Sequence, residues 1–304
     1  MNDSSQSTKQ RKRSVVFWVF LIVSIPLITG VVGYASGYRF NTHSRTLTVT
    51  SLISVSTTPS EATVTLNGVA QTTLTPFMHA VEPGEYTITV THDGYQPWEK
   101  RLTIAEGKSA VFTEALLFGN TPILEEAAFI EQPASVLRSL TPEEISTYAS
   151  HGFTNTRTLL VMDSGSRPVV IDTQNDVTWL LGPTMQAESA VRIGAAAIDA
   201  QWSPDGTMLA TMNDFELSIY ELSTQKNSLI RRQSIPLSDM TWSTDSRLIF
   251  YSDADTISAV EVDPTGGRQR WVVANVSGAT DLAAQKKQLQ FTVNGKTFND
   301  VLEE

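Results

Sequence analysis

The chain has 304 residues, no cysteine and a formal net charge of −10, with 41% hydrophobic and 18% charged residues. This composition supports a folded core, and the lack of cysteine excludes disulfides, thiolate-bound zinc, iron–sulfur clusters and thiol nucleophiles. Four of the basic residues lie before residue 14, so the rest of the chain is strongly acidic, and nucleic acid is not an expected partner.

The first predicted element is an apolar helix that follows the basic cluster Lys9 to Arg13. Val15 to Ala35 carries no charge, and its roughly 21 residues give a helix of about 31 Å, enough to cross a bilayer. Basic residues that flank such a helix stay on the cytoplasmic side. The sequence therefore predicts a basic cytoplasmic tail at 1–13, a transmembrane signal-anchor helix at 14–36, and an extracellular or periplasmic location for the domains that follow.

A cleaved signal peptide is the alternative interpretation of the same segment. Gly33-Tyr34-Ala35 resembles the small-x-small pattern of a cleavage site. The apolar run is about 21 residues long, however, and exceeds the 7 to 15 residues typical of a signal-peptide core. This length favours the anchor.

Short alternating segments separated by turn residues begin at Thr46. Asn67-Gly68 and Asp93-Gly94 lie between such segments and predict tight hairpin turns. From Tyr86 to Val90, apolar residues alternate with threonines, which is typical of a half-buried antiparallel strand. The pattern predicts a small β-sandwich at 46–118.

Three stretches of this segment carry a resemblance to a known family. They are ISVSTTPSEATVTLNG at 53–68, EPGEYTITVTHDGYQPWEK at 82–100 and LTIAEGKSAVFTEALL at 102–117. They resemble the PEGA domain. The resemblance implies an accessory β-module of bacterial or archaeal surface and membrane-attached proteins, and it brings no catalytic residues with it.

Two groups of side chains in this segment have alternative interpretations. Tyr95 and Trp98, with the proline between them, suit a platform for stacking carbohydrate, but aromatic side chains contribute most of the burial in a small sandwich, so Tyr86, Tyr95 and Trp98 are interpreted as its core. His79 and His92 lack an acidic partner at ligand spacing, so they are interpreted as exposed histidines rather than as a metal pair.

Residues 119–152 are predicted to be a linker with one short helix. Thr141 is a suitable N-cap, Pro142 a suitable first residue, and Glu144 completes a capping box. Gly152 provides a terminator, so the helix is expected at about 142–150.

An internal repeat follows. DAQWSPDG at 199–206 recurs as DMTWSTDS at 239–246, an offset of 40 residues, and a third copy has Leu282 in place of the tryptophan. A period of this length predicts β-propeller-like repeats over 153–304, in about three to four blades. The motif W-S-P-D-G resembles the TolB-type and WD-like propeller repeats of bacteria. The resemblance implies that Trp202 and Trp242 pack between blades and that Asp205-Gly206 forms the first hairpin turn.

The length after residue 152 is too short for five blades. Three arrangements remain open: an incomplete propeller, an assembly that uses 119–140 for one more set of strands, and closure by pairing with another chain through the open edges as a homodimer. The expectation is an incomplete or four-bladed assembly.

No sequence motif predicts catalytic activity or cofactor binding. The chain contains four histidines and none of the G-x-S-x-G, H-E-x-x-H, phosphate-loop or dinucleotide patterns. Asp253 and Asp255 resemble part of a calcium loop, but the glycine and glutamate that complete an EF-hand are missing, so a plain turn is favoured. The sequence therefore predicts a protein that is not an enzyme, with no catalytic residues, no cofactor-binding residues, no metal site and no cofactor.

The fold class expected from these elements is an all-β outer region with one N-terminal transmembrane helix. The expected function is that of a non-enzymatic, membrane-anchored protein of the bacterial cell envelope, in which a PEGA module spaces a propeller-like domain that binds an envelope protein or glycan. The alternative is an envelope enzyme, or an accessory subunit of one, with a site in the propeller channel. Beyond this ligand, the expected partners are the membrane, through the N-terminal helix, and a second copy, through open propeller edges.

Overall fold

The computed structural model describes residues 4–35, 38–41, 46–128, 137–154, 156–162, 167–182, 186–285 and 288–301. The chain divides into two compact units. Residues 1–88 with 101–115 form the first, and residues 89–100 with 116–304 form the second. The predicted linker and repeat region each include residues outside the described ranges.

The N-terminal helix, α1, spans Ser4–Ala35. Its part from Phe17 to Ala35 is long and apolar enough to cross a membrane, and none of that part is buried. Pro26 lies inside the helix, and the Thr29 hydroxyl donates to the Ile25 carbonyl at 2.8 Å. An anchor and a signal sequence both fit this helix. Two antiparallel strands follow it, β1 (Tyr38–Asn41) and β2 (Thr46–Val49).

Seven strands then form two sheets. They are β3 (Ser51–Thr58), β4 (Thr63–Leu66), β5 (Val69–Leu74), β6 (Phe77–Val81), β7 (Gly84–Thr91), β8 (Trp98–Ile104) and β9 (Ser109–Leu116). One sheet has the order β6-β3-β9 and the other β5-β4-β7-β8. Strands β7 and β8 include residues of both units.

The alternating sequence pattern produces these strands because every second side chain is buried. Along β3 buried and half-buried residues alternate without a break. Ile53, Val55, Val64 and Ile88 are completely buried. At the predicted hairpin turn, Asn67 and Gly68 both have positive φ, 48° and 81°, as a tight hairpin turn requires.

The segment 119–152 contains the predicted helix and more. Helix α2 spans Pro142–Ser150 with the capping box between Thr141 and Glu144. Two strands precede it, β10 (Leu124–Glu126) and β11 (Arg138–Ser139), and both join sheets of the repeat region. The prediction that 119–152 is a linker is therefore incomplete, because the segment also contributes two strands to the repeat region.

The remaining strands follow in short antiparallel runs, with 3₁₀ turns at Thr156–Thr158 and Ala187–Ser189. They are β12 (Leu159–Met162), β13 (Val169–Asp172), β14 (Val177–Leu180), β15 (Val191–Gly194), β16 (Asp199–Trp202), β17 (Met208–Met212), β18 (Glu216–Glu221), β19 (Lys226–Arg232), β20 (Leu237–Trp242), β21 (Leu248–Asp253), β22 (Ile257–Glu261), β23 (Arg270–Ala274), β24 (Thr280–Gln285), β25 (Gln288–Val293) and β26 (Lys296–Val301).

Within the described residues these strands make four sheets. Their orders are β11-β12-β13-β14-β15, β16-β17-β18-β19, β20-β21-β22-β23 and β10-β26-β25-β24. The last sheet takes its outer strand from the start of the region, with Leu124 opposite Asp300 and Glu126 opposite Phe298. Residues 119–140 therefore contribute strands to two of these sheets, as one of the arrangements left open by the sequence anticipated.

Apolar clusters lie between successive sheets. One contains buried residues of the first and second sheets, such as Ile171 and Leu209, and Trp202 packs against it. The next contains Trp242 with residues of the second and third sheets. The Trp242 indole N–H donates to the Gln201 carbonyl at 3.0 Å. The two tryptophans therefore pack between neighbouring sheets, as the resemblance implied.

Candidate functional site

Carboxylates recur on the inner strands of the repeat region, which are β16, β20 and β24. These strands lie next to one another, β16 beside β20 and β20 beside β24. Asp199 on β16 and Asp239 on β20 hold the same place in the repeat, and Asp281 lies on β24. The inner strands thus bring acidic groups from three sheets close together.

Asp199 is held by its own strand. One carboxylate oxygen accepts from the Ala200 amide at 2.7 Å, and the other accepts from the Gln201 side-chain amide at 3.0 Å. The same amide nitrogen donates to the Met240 carbonyl at 2.7 Å, which ties β16 to β20. Burial, together with the charge of Asp239, raises the pKa of Asp199 to about 6.

Asp239 links the third sheet to the fourth. It accepts from the Met240 amide at 2.7 Å and from the Leu282 amide on β24 at 2.8 Å. Burial raises the pKa of Asp239, and the Asp281 charge acts in the same direction, against the two backbone hydrogen bonds. Two neighbouring carboxylates are thus held in an environment that disfavours their charged forms.

Exposed apolar side chains lie at the end of the sheets where these inner strands begin. Ile198, Phe215 and Ile235 are between 44% and 50% exposed. We call this surface the loop face. Antiparallel strands place the segment that enters an inner strand at the same end as the turn between the second and third strands of a sheet. Large apolar residues exposed together mark interaction sites more often than single ones do.

Backbone hydrogen bonds connect the segments that carry the loop face. The Ile198 amide donates to the Met212 carbonyl at 2.7 Å. The Gln233 amide donates to the Phe215 carbonyl at 3.0 Å, and the Leu237 amide donates to the Asp214 carbonyl at 2.7 Å. The loop face is therefore built on segments fixed to each other and not on independent loops.

Acidic residues accompany the loop face. The carboxylates in or next to its segments are Asp199, Asp214, Glu216 and Asp239. Two arginines end β19, and both have partners: Arg232 donates to Glu216 at 2.6 Å, and Arg231 donates to the Gln233 side chain at 3.2 Å. The surface therefore combines apolar contact area with negative charge.

The opposite end of the same strands is organised by serine–aspartate turns. The Ser203 hydroxyl donates to Asp205 and the Ser243 hydroxyl donates to Asp245, each at 2.6 Å. Gly206 has a φ of 71°, so the turn predicted at Asp205-Gly206 is confirmed. The two aspartates here stabilise turns and are not part of the candidate site.

The resemblance of Asp253 and Asp255 to a calcium loop is explained by a turn, as predicted. One Asp253 oxygen accepts from the Asp255 amide at 3.1 Å and from the Thr256 amide at 2.9 Å. Asn213 accepts in the same way from the Phe215 amide at 3.0 Å. Across the described residues, no group of three or more histidine, aspartate or glutamate side chains is arranged to hold a metal ion.

The two aromatic residues considered for carbohydrate stacking differ in how far they are buried. Trp98 is buried, whereas Tyr95 is half-buried with its ring 5.1 Å from that of His92. Within the second unit, the Trp98 indole N–H donates to Glu261 at 2.8 Å, and the buried Lys100 ammonium pairs with the same carboxylate. A stacking platform at Trp98 is therefore excluded, and the residue is core with a polar partner. The expectation that Tyr86 and Tyr95 are also core is wrong, because both side chains are half-buried.

In the sequence, Asp199 and Asp239 stand out only as parts of the repeat, and no site is predicted at either position. The available signal was a carboxylate at the same place in two strands whose neighbours are apolar, because burying a charge there is costly. The available signal for Phe215 was a large aromatic residue in an Asn-Asp turn. Ile198 and Ile235 carry no comparable signal, because only the folded sheets bring them together.

A protein family matches one part of the chain. The PEGA domain family matches residues 50–116. No curated protein matches the chain. Among solved structures, the β-propeller domain of Cps50 (Swd1) from Myceliophteria thermophila is similar over 71% of this chain and 67% of its own length, with 10% identity and a TM-score of 0.39. Residues 50–116 therefore match the PEGA domain family, and the successive antiparallel sheets that follow are propeller-like in their own strand order.

Proposed function

We propose that the protein is a non-enzymatic binding protein of the bacterial cell envelope. The apolar part of α1 anchors it in the membrane, with the basic tail in the cytoplasm and both β regions extracellular or periplasmic. The PEGA domain spaces the propeller-like region, and that region binds an envelope protein or glycan. The observation that carries the proposal is the loop face, where three exposed apolar side chains accompany the carboxylates of the inner strands.

The loop face favours a protein over a glycan. Glycan recognition relies on aromatic stacking surfaces, and two of the three exposed residues here are isoleucines. Aliphatic contact area with a negative border suits a protein segment that carries apolar and basic side chains.

The test is photo-crosslinking in intact cells. A photoreactive amino acid replaces Phe215 in one variant and Leu229 on β19 in the other, because both side chains are 46% exposed. We expect position 215 to capture one discrete protein and position 229 to capture at least about tenfold less of it. Equal capture at the two positions, or none at 215, contradicts the loop face as the binding surface.

A second candidate function rests on a specific observation, the half-buried pair Asp199 and Asp239. A carboxylate with a pKa raised to about 6 beside a second carboxylate is the arrangement of an acid–base pair, which fits an envelope enzyme or an accessory subunit of one. Asp199→Asn separates the candidates. The binding proposal expects Asp199→Asn to weaken capture at position 215 and the cellular role together, whereas the enzyme candidate expects that role to be lost while capture persists.

A further inference from the structure

Two Asn-Gly pairs occupy turns of the same kind, and they bear on a property that is independent of the function proposed above. Asn67-Gly68 connects β4 to β5, and Asn294-Gly295 connects β25 to β26. In both hairpins the residues on either side of the pair lie opposite each other. All four residues have positive φ, 48° and 81° in the first turn and 51° and 75° in the second. The two turns therefore share one backbone conformation.

The two asparagine side chains differ in their hydrogen bonds. The Asn67 Nδ2 donates to the Glu85 carbonyl at 3.2 Å, and its Oδ1 accepts from the Thr87 amide at 2.8 Å. Both partners are backbone groups of β7, the strand beside β4. Asn294 is exposed, and within the described ranges its side chain has no hydrogen-bond partner. The first side chain is thus fixed to a neighbouring strand, whereas the second is free to rotate.

An asparagine that precedes a glycine is able to react with the main chain. The glycine nitrogen attacks Cγ of the asparagine and forms a C–N bond, and the side-chain nitrogen leaves as ammonia with the proton that the attacking nitrogen gives up. Water then adds to one of the two carbonyl carbons of the succinimide ring and breaks its bond to the ring nitrogen. The products are aspartate and isoaspartate, and only water is consumed. Glycine has no Cβ to hinder the attack.

We propose that Asn294 is a site of spontaneous deamidation whose product loosens β26, and that Asn67 is protected from the same reaction. The attack requires the side chain to rotate until Cγ faces the next backbone nitrogen. At Asn67 this rotation breaks two hydrogen bonds to β7, whereas at Asn294 it breaks none among the described residues. The difference between the two sites therefore comes from the fold and not from the dipeptide.

The position of Asn294 explains why its modification affects β26. Isoaspartate lengthens the backbone by one carbon, and here the added carbon falls inside a two-residue turn. Val293 and Lys296 pair across that turn, so the register of the hairpin is disturbed where it begins. β26 also pairs with β10, so the disturbed strand is the one that joins the two ends of the repeat region.

The first test measures deamidation at both positions in one sample. The full-length chain, extracted in mild detergent, is aged at mildly alkaline pH, and its peptides are weighed for the gain of about one mass unit that marks the reaction. We expect at least about tenfold more modification at position 294 than at position 67, because two hydrogen bonds oppose the reaction at Asn67. In concentrated urea those bonds are absent, and the two positions should react within about twofold of each other.

Two outcomes of this test overturn the proposal. Equal modification at the two positions in the folded chain means that the hydrogen bonds of Asn67 do not protect it. A difference that persists unchanged in urea means that the flanking sequence, and not the fold, sets the rates.

The second test asks whether the modification loosens β26. Hydrogen exchange read by mass spectrometry compares fresh and aged samples of the parent, of Asn294→Gln and of Asn67→Gln, since glutamine forms the corresponding larger ring far more slowly. We expect faster exchange over 296–301 in the aged parent and in aged Asn67→Gln, and no change on ageing in Asn294→Gln. Identical ageing in Asn294→Gln and the parent overturns the proposed effect on β26. Circular dichroism melting checks that both variants fold, and the first test needs no variant.

Discussion

At the residue scale, the raised pKa of Asp199 makes the stability of the folded chain depend on pH. Its pKa is raised to about 6 from an ordinary value of 3.8, because burial and Asp239 disfavour its charged form. The folded chain therefore binds this proton more tightly than the unfolded chain does. The stabilisation is fully present below pH 3.8 and is lost as the pH rises through about 6.

Asp199→Asn should remove this pH dependence. Between pH 7.5 and pH 5, we expect the parent to gain roughly 1 kcal/mol of unfolding free energy relative to the variant. Urea denaturation at the two pH values measures the difference. Asp214→Asn, on an exposed carboxylate beside Phe215, is the control and should follow the parent. Parallel pH profiles for parent and Asp199→Asn would contradict the raised pKa.

The residues of the candidate site differ in how far sequence could predict them. The turn residues were predictable, because Asn67, Gly68 and Gly206 occupy backbone conformations that few residue types adopt. The loop face was not, because the exposure of Ile198 and Ile235 depends on which strands become neighbours. Periodicity reports which face of a strand is buried, but it does not report which loops meet.

At the scale of elements, the segment 89–100 is held within the second unit by a buried ion pair. Lys100 donates to Glu261 and to the Gly267 carbonyl, the latter at 2.6 Å, and Glu261 also accepts from Trp98. Glu261→Gln leaves the Lys100 charge buried without its partner, and we expect a loss of roughly 3–5 kcal/mol. Urea denaturation measures the loss.

A matched control separates the effect of burying an ion pair from the effect of forming one. Lys296 and Glu126 form an ion pair at 3.2 Å in which both side chains are largely exposed. Glu126→Gln should change the unfolding free energy by less than about 1 kcal/mol. The double variant Lys100→Met with Glu261→Gln should recover much of the loss, because it removes the buried charge. Equal effects of Glu261→Gln and Glu126→Gln would show that the Lys100 pair is not desolvated.

The elements were predicted unevenly. α2 occurs where its capping residues indicated, because caps act locally within a few residues. β11 was missed, because its two residues lie apart from β12 with α2 inserted between them, and a strand that short has no periodicity. β10 was anticipated only as one of several arrangements. A homodimer through open propeller edges stays a prediction, and on the outer side of β26 the edge is taken by β10 of the same chain.

At the scale of the whole molecule, the anchor proposal makes a prediction about the mature protein. A signal peptide would be removed, whereas an anchor keeps its basic tail and α1. Mass spectrometry of the mature chain should therefore detect the peptides before Val15, and protease added to spheroplasts should digest both β regions. A mature chain that begins near Ser36 would contradict the anchor in favour of a signal peptide.

The pairing of β10 with β26 affects the order in which the sheets of the propeller-like region fold. Ile123 donates to Asp300 across 177 positions of sequence, and β10 meets β26 at the same place. During synthesis β10 leaves the ribosome long before β26 exists, so its partner is absent while the intervening sheets form. Contacts between distant parts of a chain slow folding, because the loop entropy must be overcome before the contact forms. β26 therefore sets the moment at which the fourth sheet is completed, because β10 has no strand to pair with in that sheet until β26 emerges.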